Sequence, residues 1–186
     1  MRHGESEANR LQIFSDHENK YPLTDEGRTQ VENSAMELRG VMLDGVISSP
    51  VLRARETAEI LADRLKLDLS VDTRLRESKL GRFNERKIIP MNSSRRREFG
   101  LESWESQLDR MLSCVNSRDG SYIIVSHASP IRALVCQYIG IKHEDPCLGI
   151  EIRYSSMSMV LCESRQVLTI GALKIDDEIR KEFNAG

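Results

Sequence analysis

The chain has 186 residues and a mass of 21.2 kDa, with 39% apolar residues, 30% charged residues and a formal net charge of −2. That is one domain of the usual size, about 100–200 residues, large enough to fold without a metal or disulfide staple. No run of about 18 apolar residues could span a membrane, the start Met1–Ser6 lacks an apolar signal segment, and 27 Lys+Arg against 29 Asp+Glu with 5% aromatics disfavours a nucleic-acid surface. The expectation is a cytoplasmic protein with neither membrane nor nucleic acid among its partners.

Taken in chain order, Pro22-Leu23-Thr24-Asp25 reads as a helix start, and Val31, Ala35, Leu38 and Met42 keep helical spacing after it. Gly45–Pro50 reads as a short strand stopped by proline. Ala54, Thr57, Ala58, Leu61 and Leu65 make the next amphipathic helix, and Leu69–Val71 a second short strand. From Gly81 to Gly100 the sequence is polar, rich in arginine and without a period, as in a loop or inserted lid. Leu101, Trp104, Leu108, Met111 and Val115 mark another helix. Tyr122–Val125 is a continuous apolar run between Gly120 and Ser126, the pattern of a strand covered on both faces. A helix over about 130–140 follows, then strands at Ile150–Tyr154, Met157–Cys162 and Val167–Leu173, then a charged helical tail. Alternating strands and helices predict a three-layer α/β sandwich with a mostly parallel central sheet, one domain over 1–186 with a lid or insertion at 81–100. The strand-to-helix turns at Ser48-Ser49-Pro50 and Ser126-His127-Ala128 then lie at the carboxyl ends of strands, where such sheets place ligands.

The four cysteines, Cys114, Cys136, Cys147 and Cys162, form no Cys-x-x-Cys and no metal-ligand spacing. Reduced thiols are the expectation, with Cys136 and Cys162 packed in the core because their neighbours are apolar. His17 and His143 lie in polar stretches and read as surface residues.

Arg2-His3-Gly4-Glu5 opens the chain, and Ser126-His127 follows the most apolar strand. A lone histidine is more often a surface or satisfied core residue, but these two sit among Arg2, Arg53 and Arg132. Guanidinium groups gathered at strand ends and helix N-termini suit a phosphate, which takes bidentate donors and backbone N–H groups. Alone, Arg53 and Arg55 would be read as solvated helix charges, and Glu77 as a partner of its basic neighbours. The Arg95-Arg96-Arg97 run, with Arg86 and Lys87, is read first as a solvated loop and second as a reader of another anionic group on a substrate.

Arg2-His3-Gly4-Glu5-Ser6 with Asn9 resembles the R-H-G-E signature of the histidine phosphatase superfamily, the phosphoglycerate mutase-like proteins. Pro22-Leu23-Thr24 with Gly27, Ser48–Ala54 with Thr57-Ala58, Leu75-Arg76-Glu77 with Gly81, and Val125-Ser126-His127 with Ile131-Arg132 are similar to the following blocks, in the family's order. The resemblance implies that His3 is the nucleophile and carries a phosphohistidine. It implies that Arg2, Arg53 and His127 hold the phosphoryl oxygens, that Asn9 makes a polar contact there, and that Glu77 is general acid and then base. Ala128 stands where the family usually has glycine, and can offer its N–H to phosphate if its φ is negative. No metal or other cofactor is implied, and the implied partner is a small phosphorylated metabolite. The late strands are candidate edges for a homodimer, or covered edges; the sequence selects neither.

The family places an apolar strand directly before R-H-G, so the expectation is a start upstream of Met1, with neighbouring strand edges left unpaired here. Gly81-Arg82-Phe83-Asn84-Glu85 stands where a tryptophan, acid and glycine are common in the phosphatase branch, which leaves the pocket shape open. Three functions follow. The leading one is a phosphatase for a small phosphomonoester, favoured by compactness. The second is a phosphoglycerate-type mutase using the same residues. The third is a non-catalytic phospholigand binder, motivated by the prospect of His3 fraying at the terminus.

Overall fold

Thr24 caps the first long helix, its hydroxyl accepting from Gly27 N at 3.0 Å. In the computed structural model, which describes residues 1–186 throughout, that helix is α2 (Asp25–Glu37), preceded by the single turn α1 (Glu7–Arg10). The chain then runs β1 (Gly45–Ser48), α3 (Leu52–Leu65), β2 (Leu69–Val71), α4 (Ser93–Glu98), α5 (Trp104–Val115), β3 (Tyr122–Val125), α6 (Ala128–Tyr138), α7 (Glu144–Leu148), β4 (Met157–Leu161), β5 (Gln166–Ala172) and α8 (Asp177–Ala185). Strands β2, β1 and β3 form one parallel sheet in that order, with Val46 facing Leu69 on one side and Ile123 on the other. Side chains alternate across β1, as the pleat requires. Val46 joins a core with Val31 and Ala35 of α2 and Ala54, Ala58 and Leu61 of α3, while Ile47 packs with Leu75, Met111 and Cys114 towards α5. The result is the expected three-layer arrangement with helices on both faces.

Beside it, β4 and β5 form an antiparallel hairpin. Ile150–Tyr154, expected as a strand, belongs to neither sheet; the Ile150 and Ile152 carbonyls accept from the guanidinium groups of Arg132 and Arg2 instead of from a strand. The 81–100 stretch holds a 3₁₀ turn at Gly81–Phe83 and α4, which were too short to leave a period in the sequence.

Two expectations about cysteine are corrected. Cys136 is fully buried, but it is disulfide-bonded to Cys147 rather than a free thiol. The one-and-a-half-turn α7 folds back on α6 and brings the two Cα atoms to 6.2 Å, across a separation of 11 residues that matches no motif. Cys162 is exposed, because it follows the last residue of β4 in the hairpin turn. Cys114 is buried and free.

The chain start is held, not frayed. Arg2 pairs in parallel with Ser126, Arg2 N donates to Ser156 O, and Ser155 N donates to His3 O, both at 3.1 Å. The Met1 ammonium donates to Ile124 O at 2.7 Å, and burial lowers it to about 5. Past Met1, the outer edge of β3 has no strand partner, and a groove of about 730 Å³ lined by Ile124, Met157, Met159 and Leu161 lies between it and the hairpin.

Candidate active site

Two features of the sheet bring the site together. The turn after β1 leads into α3 and places Arg53 in its first turn, and the turn after β3 places His127 immediately before α6. The chain start lies alongside the end of β3, which puts His3 beside both. The approach is close enough to require two glycines. A Cβ on Gly4 would lie 2.5 Å from Gly27 O, and a Cβ on Gly27 would lie 2.0 Å from Glu5 O, so the loop carrying His3 seats directly on the α2 backbone. Gly4 N also donates to Thr57 Oγ1, and Thr57 Oγ1 donates to Arg53 O, locking that loop to α3.

His3 is 2% exposed. Its Nδ1 lies 2.7 Å from Gly4 O and its Nε2 lies 3.1 Å from Arg53 Nε, which is always a donor. The proton therefore sits on Nδ1, and Nε2 carries the ring's lone pair, which accepts from Arg53 Nε. Burial, then the charges of Arg53 and Arg2, drive the His3 imidazole well below its ordinary value, so the ring is neutral. His127 is fully buried with its ring 5.1 Å from that of His3. Arg53 Nη2 donates to its Nδ1 at 3.2 Å, which leaves His127 Nε2–H to donate to Ser49 Oγ at 2.9 Å. Burial, then Arg53, depress it strongly as well.

The guanidinium groups are the second component. Arg53 Nη2 donates to Ser15 O, yet Arg53 Nη1 is buried with no partner. Arg2 lies with its Cζ 4.0 Å from the centre of the Tyr154 ring and donates through Nη1 to Ile152 O; its Nε is likewise buried without a partner. Buried N–H groups left unpaired beside a neutral imidazole lone pair form an electropositive recess matched to an oxyanion. Glu77 Oε2 lies 3.7 Å from both Arg53 Nη2 and His127 Nδ1, and the segment before it is anchored by Ser126 Oγ donating to Leu75 O. A carboxyl group, a nucleophilic nitrogen and convergent cationic donors can together move a phosphoryl group.

The sequence profile of the histidine phosphatase superfamily (branch 1) matches residues 1–169. The chain belongs to the histidine phosphatase superfamily. A 2,3-bisphosphoglycerate-dependent phosphoglycerate mutase of Thermoplasma acidophilum is 34% identical over 193 aligned positions, covering 99% of this chain and 96% of that one. Among solved structures, the phosphoserine phosphatase of Entamoeba histolytica in complex with 3-phosphoglyceric acid superposes with a TM-score of 0.72 at 18% identity, covering 96% of each chain. A mycobacterial glucosyl-3-phosphoglycerate phosphatase with VO3 superposes at 0.69 and 21% identity, covering 84% of this chain and 88% of that one. At such identities these two likenesses speak for the fold alone.

Within this superfamily member the expected site residues separate clearly. His3, Arg53, His127 and Glu77 come together, and Arg2 adjoins them. Ala128 is the first residue of α6, outside the positive-φ residues, so its conformation is the one that lets it present its N–H. Asn9 Oδ1 accepts from Ser6 N and Ser6 Oγ, capping α1. The arginine run is split. Arg95 and Arg97 are exposed, while Arg96 is buried, with Nη2 3.4 Å from both Ser78 Oγ and Ser129 Oγ, next to Glu77 and to the start of α6. Sequence reasoning passed over Ser15, Ser49 and Tyr154 as site residues. Ser49 stood inside a motif block, whereas Ser15 and Tyr154 had no local signal.

Proposed function

We propose that the protein transfers the phosphoryl group of a small phosphomonoester to His3 and hydrolyses the phosphohistidine. The observation that carries this reading is the His3 imidazole, neutral, with Nε2 unprotonated and facing Arg53. His3 Nε2 attacks phosphorus as the ester P–O bond breaks, and Glu77, as general acid, gives a proton to the departing alkoxide. Arg2, Arg53 and the N–H groups at the start of α6 balance the charge on the three non-bridging oxygens. Water then attacks phosphorus while Glu77 takes its proton, and the N–P bond breaks to return His3 and release phosphate. The Nη2 edge of Arg96, beside Ser78 and Ser129 next to Glu77, offers a donor beyond what one phosphoryl group needs, which supports a substrate with a second anionic group.

The second reading is isomerisation, in which the phosphohistidine returns its group to another hydroxyl of the substrate. The near-complete, 34% identical match to a phosphoglycerate mutase supports it. That match covers 96% of a mutase of nearly the same length, so compactness no longer favours hydrolysis. A single assay separates the two: free phosphate and 2-/3-phosphoglycerate interconversion followed together, primed with 2,3-bisphosphoglycerate. Phosphate release outrunning isomerisation supports hydrolysis, and the reverse order overturns it. The shared first step is tested by rapid-quench labelling with a phosphodonor. Acid-labile label, lost in His3→Ala, is expected; label retained in that variant refutes the mechanism.

A further inference from the structure

Arg96 is held from behind. Its Nε faces Glu144 of α7, with an N–O separation of 2.5 Å, while its Nη2 edge points to Ser78 and Ser129 beside the site. The side chains of this ion pair are 10% and 11% exposed, and neither Arg96 Nε nor Glu144 Oε1 has an aligned hydrogen-bond partner, so the contact is chiefly electrostatic. Burial raises Glu144 above the ordinary carboxylate range. A second contact ties the same two helices: Ser93 N and Oγ, at the start of α4, donate to Asp145 at 2.8 and 3.0 Å. In turn α7 is fastened to α6 by the Cys136–Cys147 bond, and α6 begins at the His127 turn. The path from the site to the lid and back is thus a closed ring of named contacts: α6, disulfide, α7, Glu144, Arg96, Ser129 of α6.

We propose that Glu144 is a positioning residue, gripping Arg96 at Nε so that its Nη edge meets a second anionic group on the substrate. This rests on the phosphoryl-transfer reading above. A guanidinium is a rigid planar fork, so contact at one edge fixes the direction of the other. The sign of the effect follows from burial. Removing one partner of a buried ion pair leaves the other charge uncompensated, and Arg96 then lowers its energy by turning out to water instead of serving the pocket. The disulfide fastens α7, and hence Glu144, to the C-terminal end of α6, whose first turn carries Ser129.

The test uses the full chain with two probes, inorganic phosphate and 3-phosphoglycerate, measured by calorimetry. Phosphate reports the His3 recess alone, and 3-phosphoglycerate adds a carboxylate. E144Q keeps the shape of the side chain and removes its charge. It is expected to weaken 3-phosphoglycerate binding about tenfold, to leave phosphate binding unchanged, and to have no further effect in an R96A background. E144D is expected to recover part of the loss, which a purely structural role would not give. Equal affinities of wild type and E144Q for 3-phosphoglycerate overturn the inference, as does an equal loss for both probes, or a loss of the same size in R96A. Wild-type protein that binds no phosphate overturns the underlying functional reading, and this inference with it. Phosphate bound normally beside an unchanged E144Q profile overturns the inference alone.

Discussion

The two buried histidines make stability depend on pH in a window where few other groups titrate. His3 and His127 are 2% and 0% exposed, and both sit well below 6.5 in the folded chain, through burial first and Arg53 second. In the unfolded chain each takes up a proton around pH 6.5, so the unfolded state binds more protons and stability falls as pH falls. If the folded rings stay neutral, integrating one unfolded histidine from about pH 7 to about pH 5.5 gives a loss of about 1.3 kcal/mol, or about 2.5 kcal/mol for the pair. The Met1 ammonium, lowered to about 5, acts in the same direction, so the measurement must be a difference between proteins that share it. Urea unfolding of wild type, His3→Gln and His127→Gln in phosphate-free buffer at both pH values provides that difference. Glutamine offers Arg53 an acceptor and does not titrate. Each variant is expected to lose about 1.3 kcal/mol less than wild type on acidification. Equal losses in all three proteins would falsify the assignment of neutral, desolvated rings.

Other expectations follow from single contacts. Glu77→Gln removes the proton donor, so turnover of an alkyl phosphomonoester should fall by about a hundredfold or more in kcat, and that of p-nitrophenyl phosphate, whose leaving group needs no proton, much less; equal losses would refute the acid role. Arg53→Lys gives up the fork that reaches His3 Nε2, His127 Nδ1 and Ser15 O together, and should cost about a hundredfold in kcat/KM, with near-normal activity as the contrary result. Gly27→Ala forces a methyl group to within 2.0 Å of Glu5 O, so thermal unfolding should show a loss of about 3 kcal/mol or more, and an unchanged Tm would contradict the close seating of the His3 loop. Cys147→Ser opens a loop spanning 11 residues and should lower stability by about 3 kcal/mol in urea, with no change if the bond does not form in the folded protein.

What was legible in the sequence was whatever local spacing dictates. The helical repeats of α2, α3 and α5 and the apolar run of β3 report burial that each segment must satisfy on its own, so they were readable one at a time. Gly4 and Gly27 were visible as members of two motif blocks, but their reason, two backbones within van der Waals distance, exists only once the chain start meets α2. Arg96 looked like its neighbours Arg95 and Arg97, because a run of like charges carries no signal of which one turns inward. Glu144 selects it, from 48 residues further along the chain. The Cys136–Cys147 bond and the ring of Tyr154 against Arg2 were hidden for the same reason: each is a contact between segments with no shared period.

On the proposed mechanism, the residues that move the phosphoryl group cannot decide what accepts it. His3, Arg2, Arg53, His127 and Glu77 serve water and a substrate hydroxyl equally well, because both attack the same phosphorus from the same side. The decision falls to whatever excludes water while the phosphohistidine exists. We propose that in this chain that task falls to α4 and the segment leading to it, which Glu144 and Asp145 clip to α7. A clip that holds the lid down lengthens the time a bound substrate stays beside phospho-His3 relative to the time water needs to arrive. Loosening it should therefore shift the partition of the intermediate towards free phosphate, whichever product the wild-type chain forms faster. The ratio of isomerisation to phosphate release in E144Q measures that shift directly, and an unchanged ratio would place the control of water elsewhere.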